Sequence, residues 1–163
     1  MTGPEDDAWK EGLTPWQLLE SAIRDKSEPE EPGDLALAEE ALAKGADVNE
    51  EHEDWTALMY AAIENDAAMV DWLFAHGAEP DGAAVMEAAR FDSPAACEAL
   101  IRHGCPVDWD EHGDSPVLLA AREGFFDVVR VLVAAGADVD HRDDSDTSTR
   151  MLLESAGRLD LLD

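Results

Sequence analysis

Lysine is scarce in this chain, with three residues in 163, and all basic side chains together number 11 against 39 acidic ones. The formal net charge is −28. A field of that sign repels nucleic acid and anionic lipid and attracts basic partners. Cysteine is nearly absent. Cys97 and Cys105 are too few for a disulfide framework and form no C-x-x-C, so both are expected to be reduced structural residues. No apolar run approaches the roughly 18 residues that a membrane helix needs. The opening MTGPEDDAWKEG is acidic and lacks an apolar core, so no secretory signal is expected and the expected location is cytoplasmic. Signatures of chemistry are missing too: no G-x-S-x-G, no phosphate-cradling glycine loop, no H-E-x-x-H or H-x-x-x-H. Carboxylates crowded on solvated loops are not a tuned acid–base pair. The chain is therefore expected to be no enzyme, to hold no metal or cofactor and to take no small-molecule substrate.

What the chain does have is apolar content, 45% of its residues, which suffices for one compact domain. It also has a recurring phrase: GADVN at 45–49, GAEPD at 77–81, GCPVD at 104–108 and GADVD at 136–140. The phrase glycines lie 32, 27 and 32 residues apart, a period that signals stacked repeats. Each phrase follows a helical pattern. In DVVRVLVAAG, Val128, Val131, Leu132 and Ala135 share one helix face, and Gly136 stands where a left-handed C′ residue is needed. A second helix lies upstream in the better-formed units: TALMYAA begins at Thr56 and SPVLLAA at Ser115, with Thr or Ser as cap and Pro116 in the first turn. The pairs Ala61–Ala62 and Ala120–Ala121 are small enough for close helix approach.

These residues resemble the ankyrin repeat, most fully in SPVLLAAREGFFDVVRVLVAAGADVD. The resemblance implies an all-α solenoid of helix-turn-helix units with short β-hairpin fingers between them. It extends over residues 14–163, with units at about 14–49, 50–81, 82–108 and 109–140 and a C-terminal cap at 141–163, after an acidic segment at 1–13. TPWQLLESA and STRMLLESAGRLDLL read as degraded end units, as expected where a stack must be capped.

Two departures stand out. RDKSEPEEPG (24–33) replaces the tight turn of the first unit, and Pro29, Pro32 and Gly33 predict an exposed loop. The third unit is five residues short, and Ala83-Ala84-Val85-Met86 replaces the T-P-L-H phrase. The finger before it is expected to shrink to a tight turn, leaving a notch in the finger row. That notch is either neutral repeat decay or a recess for a partner.

The resemblance further implies protein binding through finger tips and the inner-helix face. By register, the first finger presents Glu50, Glu51, His52, Glu53, Asp54 and Trp55. The third presents Trp109, Asp110, Glu111, His112 and Asp114, and the last His141, Arg142, Asp143, Asp144 and Asp146. The inner-helix ends add Tyr60, Ile63, Glu64, Arg90, Phe91, Arg122 and Glu123. Trp55 and Trp109 beside acids are what a hot spot for a basic partner needs, unless each folds back onto its neighbouring finger. Trp16 and Trp72 are read as core packing. His76 and His103, placed before helix-ending glycines, suit a structural role at helix C-termini.

The acid is unevenly spread. Residues 34–81 hold 13 acids and one base, whereas residues 82–108 hold four acids and two arginines. Salt adaptation would acidify every face, so this concentration favours docking. The expected function is non-enzymatic capture of a basic protein, in its concrete form an inhibitor or immunity protein of a nucleic-acid-acting toxin. The alternatives are a general adaptor or scaffold, and a salt-adapted repeat protein whose acidity has no partner.

Overall fold

The computed structural model describes residues 10–25, 32–110 and 113–162. Glu111, His112, Pro29 and most of the N-terminal acidic segment lie outside the described residues. The described chain is all-helical. In order the helices are α1 (Pro15–Arg24), α2 (Leu35–Ala43), α3 (Ala57–Ile63), α4 (Ala67–Ala75), α5 (Gly82–Arg90), α6 (Pro94–Arg102), α7 (Pro116–Glu123), α8 (Phe126–Ala134) and α9 (Thr149–Ala156). A closing 3-10 turn spans Leu159–Leu162.

Side-chain hydroxyls start four of the inner helices. Thr14, Thr56, Ser115 and Ser148 each accept a backbone N–H of the first turn, and Thr14 with Gln17 completes a capping box. Asp34 and Asp66 perform the same task for the outer helices α2 and α4. Each outer helix ends on a phrase glycine at positive φ, between 89° and 98°. The residue after that glycine donates to a carbonyl five positions back: Ala46 to Ala41, Ala78 to Leu73, Cys105 to Leu100 and Ala137 to Leu132. This closure satisfies a helix-end carbonyl and turns three of those residues, Ala78, Cys105 and Ala137, into the core. It explains the second letter of the repeated phrase.

The inner helices α1, α3, α5, α7 and α9 pack in succession, and α4, α6, α8 and the 3-10 turn form an outer row. The paired alanines Ala61–Ala62, Ala88–Ala89 and Ala120–Ala121 are all buried where the inner helices meet. The larger core side chains are Leu18, Leu19, Ile23, Met69, Leu73, Met86, Leu100, Leu118 and Leu132. Both cysteines are free and buried. Burial pushes the Cys97 thiol up to about 12, so it is inert at neutral pH.

Hydrogen bonds between units repeat with the same register. Asn49 Oδ1 accepts the Glu79 amide at 2.9 Å, and Asp108 Oδ1 accepts the Asp138 amide at 2.9 Å. Asn65, in the left-handed region at φ 51°, accepts the amides of Ala95 and Ala96 and so caps α6 from the neighbouring unit. Asp66 is buried and accepts both Met69 N–H and Gly33 N–H, which ties the return of the long first-unit loop to α4. Gly33 has no room for a side chain there, since a Cβ would lie 2.5 Å from the Ala22 carbonyl oxygen.

Three expectations need correction or refinement. Among the described residues the fingers form isolated bridges, His52 with Trp55 and Arg142 with Ser148, and no strand hairpins. Two or three finger residues per side are too few to extend a ladder. Trp72 packs against the core but is only half-buried: its indole N–H donates to Glu39 at 3.0 Å and its ring packs on His76. α4 is apolar on more than one face, so its spacing does not say which side is fully covered. The notch before the third unit is partly filled. Asp81 goes straight into capping α5, and the Trp109 ring of the next finger lies on Gly82.

Candidate functional site: finger tips and the inner-helix ends

The first finger is built by a two-residue turn. His52 and Trp55 exchange backbone hydrogen bonds of 2.9 and 3.0 Å, with Glu53 and Asp54 between them at φ 54° and 67°. Two successive left-handed residues are the pattern of a type I′ turn, whose twist suits so short a loop. Glu53 and Asp54 are thereby exposed at the tip, next to exposed Glu50 and Glu51. The flanking aromatic side chains turn the other way. Trp55 stacks on Tyr60 of α3, ring centroids 5.4 Å apart, and His52 stacks on buried Trp16 of α1 at 6.1 Å.

Arg24, at the end of α1, completes this cluster. Its guanidinium lies over the Tyr60 ring, 5.0 Å from the centroid, and donates to Glu20 at 2.7 Å. Burial raises the Tyr60 phenol above its ordinary value, with Glu20 and Glu53 adding to the rise and Arg24 opposing it. Glu64, the C-cap of α3, adds to the negative charge around Arg24, since it is among the groups that raise the guanidinium's affinity for its proton, behind Glu20.

The later fingers are organised differently. Arg122 of α7 binds both oxygens of Asp114, at 2.8 and 3.0 Å, and reaches Asp143 of the last finger at 2.8 Å. Asp143 Oδ1 also accepts the amides of Ser145 and Thr147, and these bonds, the Thr147 one foremost, hold its carboxyl below the usual range. Asp140 pairs with Arg150, and Arg142 with Asp146. Asp110 accepts the Gly113 amide, and Asp144 lies against Gly113. His141 faces the Gly113 carbonyl oxygen at 3.2 Å. Arginine thus engages several acids of the third and last fingers, whereas Glu50, Glu51, Glu53 and Asp54 have no ion pair among the described residues.

The sequence-selected residues fall into two groups on either side of the shortened turn. One joins Glu50 to Trp55 with Tyr60 and Glu64; the other joins Trp109, Asp110 and Asp114 with Asp143 and Asp144. Glu111 and His112 lie outside the described residues. Phe91, the C-cap of α5, is 51% exposed, and Trp109 remains 41% exposed although it covers Gly82. Beside the first finger a recess of about 210 Å³ persists, lined by Val48, Leu58 and Pro80 with Glu51, Glu79 and Asp81. Arg24, Glu20 and Trp16 are the members of the first group that spacing did not reveal, because α1 and α3 belong to different units.

A second surface lies on the outer helices. His76 faces Glu39 at 3.2 Å, and His103 faces Asp71 at 2.7 Å, 32 residues apart in the latter pair. His103 also stacks on Phe74. Both histidines link their helix to the preceding unit. Partial burial works against ionisation of Asp71, but hydrogen bonds from His103 and Arg102 outweigh it and hold the carboxyl below its ordinary value. Among the described residues no group of three or more His, Cys, Asp and Glu side chains is placed to hold a metal ion.

A family model described as three copies of the ankyrin repeat matches residues 78–143, and a single-repeat model matches residues 53–82. The chain belongs to the ankyrin repeat family. Among curated proteins it is similar to an ankyrin repeat and KH domain-containing protein of Caenorhabditis briggsae, 42% identical over 64 residues. That match takes in 39% of this chain and 2% of the relative, so the chain spans a very small part of the relative's length. Ankyrin repeats form a protein–protein interaction module, and the family's fold is a non-enzymatic interaction fold. The matched residues begin within the first finger and end in the last. Before them α1 pairs with α2 and packs on α3, and after them α9 packs on α7. No helix among the described residues is long and apolar enough to cross a membrane.

Proposed function

We propose that the first finger and the adjoining inner-helix ends dock a basic protein partner. The observation that carries this reading is the contrast between fingers. The first presents four exposed acids with no described ion pair beside the Trp55–Tyr60 stack, while arginines of the chain itself engage Asp114, Asp140, Asp143 and Asp146. Unneutralised charge at a rim steers an oppositely charged partner and sets its association rate. Aromatic surface next to it supplies the desolvated contact that slows release. In its sharpest form the domain masks a cationic surface that the partner otherwise offers to nucleic acid, and so inhibits it.

The test is affinity capture from native extract with two baits, the wild type and a variant with Glu50, Glu51, Glu53 and Asp54 all changed to Lys. The expected outcome is a basic protein retained by the wild type, released by raising salt from 0.05 to 0.3 M, lost with the variant and displaced from the bait by added DNA. Retention that ignores both the substitutions and salt contradicts acidic docking. Retention that DNA does not disturb removes the inhibitor form and leaves the adaptor.

A further inference from the structure

We propose that Tyr60, framed by Trp55 and Glu20, is a seat for one arginine side chain of the partner, and that Arg24 occupies this seat until the partner arrives. The inference rests on the acidic docking reading and names the chemistry that its aromatic centre recognises. A guanidinium already lies there: Arg24 Cζ stands 5.0 Å from the Tyr60 centroid, with its Nη1 on Glu20. The seat therefore meets both demands of a guanidinium, a ring face for its plane and a carboxylate for its edge. Lysine's ammonium has no plane to stack and is more strongly hydrated, so it fits less well.

Three features make Arg24 a replaceable occupant. Its side chain is 50% exposed, and its partner Glu20 sits one helical turn away on the same helix. An exposed i,i+4 pair contributes little, so an incoming guanidinium displaces it at small cost. The ring is held independently of Arg24, because Trp55 stacks on it and Trp16 abuts it at 6.4 Å. The seat lies next to the finger tip, since Trp55, which closes the finger turn with His52, stacks on the Tyr60 ring. The same tip that steers a basic segment inward thus delivers it to the ring. Both α1 and α3 end at this cluster, and helix C-termini favour a cation.

The experiment uses acetylated, amidated hexa-arginine and hexa-lysine as probes on the full chain at 0.05 M salt. Affinity is read by titration calorimetry, and the seat by NMR of the Arg24 Nε–H and the Tyr60 ring. With the wild type, hexa-arginine should shift both signals and bind roughly fivefold more tightly than hexa-lysine. Arg24→Ala should tighten hexa-arginine binding roughly threefold or more, since the seat is then vacant. Arg130→Ala, which removes the same charge from the exposed Arg130–Asp127 pair on α8, should leave affinity within about twofold. Tyr60→Leu should weaken hexa-arginine roughly tenfold and abolish the preference over lysine. Equal effects of R24A and R130A, or Arg24 and Tyr60 signals that stay fixed while the peptide binds, overturn the seat. So does equal binding of the two peptides. If the four-lysine finger variant loses the peptide while R24A and Y60L match the wild type, acidic docking stands and the seat falls. If the finger variant also binds as well as the wild type, docking on this face falls with it.

Discussion

Gly82→Ala tests whether Trp109 closes the notch. A Cβ at Gly82 would lie 2.6 Å from Trp109 Cε3, 2.9 Å from Cδ2 and 3.0 Å from Cβ. Carbon pairs prefer about 3.5–4.0 Å, so the ring must retreat by about 1 Å. Rotation about the side chain does not clear the contact, because Trp109 Cβ is itself one of the crowded atoms. The backbone at 108–110 has to give as well. Overpacking of this kind costs about 1–3 kcal/mol. Gly82 is the first residue of α5 and its φ is not left-handed, so alanine returns at most about 1 kcal/mol of helix propensity. The net expectation is about 1–2 kcal/mol of destabilisation. In a Trp109→Ala background the two ring contacts are gone and only the Cβ contact at 3.0 Å remains, so the same G82A change should cost well under about 1 kcal/mol, with the helix-propensity gain offsetting most of it. The assay is urea denaturation of the four proteins of this cycle, followed by far-UV circular dichroism. A G82A effect of the same sign and size in both backgrounds would refute the packing of Trp109 on Gly82.

Other perturbations address the stack itself. Thr149 Oγ1 is buried and has no hydrogen-bond partner among the described residues, so Thr149→Val should raise stability by about 1 kcal/mol; a lower urea midpoint contradicts this. Asn65→Ala removes the acceptor for Ala95 and Ala96 and leaves a non-glycine residue at φ 51°, so a loss of about 2 kcal/mol is expected, together with faster hydrogen exchange in α6. Acid should weaken the fold. Arg150 holds the Asp140 carboxyl low, the Thr147 and Ser145 amides hold Asp143 low, and Lys44 and Lys10 do the same for Glu40. Groups depressed in the folded state stabilise it above the ordinary carboxylate range, and that stabilisation is lost as pH falls through their folded values, below about pH 4. Urea midpoints at 0.15 M salt should therefore fall between about pH 4 and pH 2.5, and less steeply in D140N/D143N; a midpoint that keeps rising to pH 2.5 contradicts the pairing.

The stack was legible because its signals are local. Thr56 and Ser115 announce helix starts, Gly136 a helix end, and the alternation of apolar residues in α8 the buried face. Contacts that join one unit to the next were not legible from spacing. Asn65 caps α6 across 30 residues, Trp109 settles on Gly82, and Arg24 reaches Tyr60 on another helix. How far Trp72 is covered was not legible either, because α4 is apolar on most sides. The shortened third unit was legible as a missing finger, but what fills a gap depends on the side chains around it. For the same reason the finger acids could be named from register, while which of them are paired could not. That distinction, between the paired last finger and the open first one, is what carries the docking proposal.

The central claim is that the acidity serves a partner and is surplus to the free fold. Far-UV circular dichroism of the isolated chain across a salt series tests it most directly. Salt at about 0.15 M already screens charges more than roughly 8 Å apart, so molar salt has little left to relieve in a core held by stacked helices. The account predicts a helical, cooperatively melting protein at about 0.05 M salt, with only a modest rise in Tm toward 2 M. A chain that is largely unfolded at about 0.05 M and gains helix only in molar salt would contradict it, and the acidity would then belong to salt adaptation.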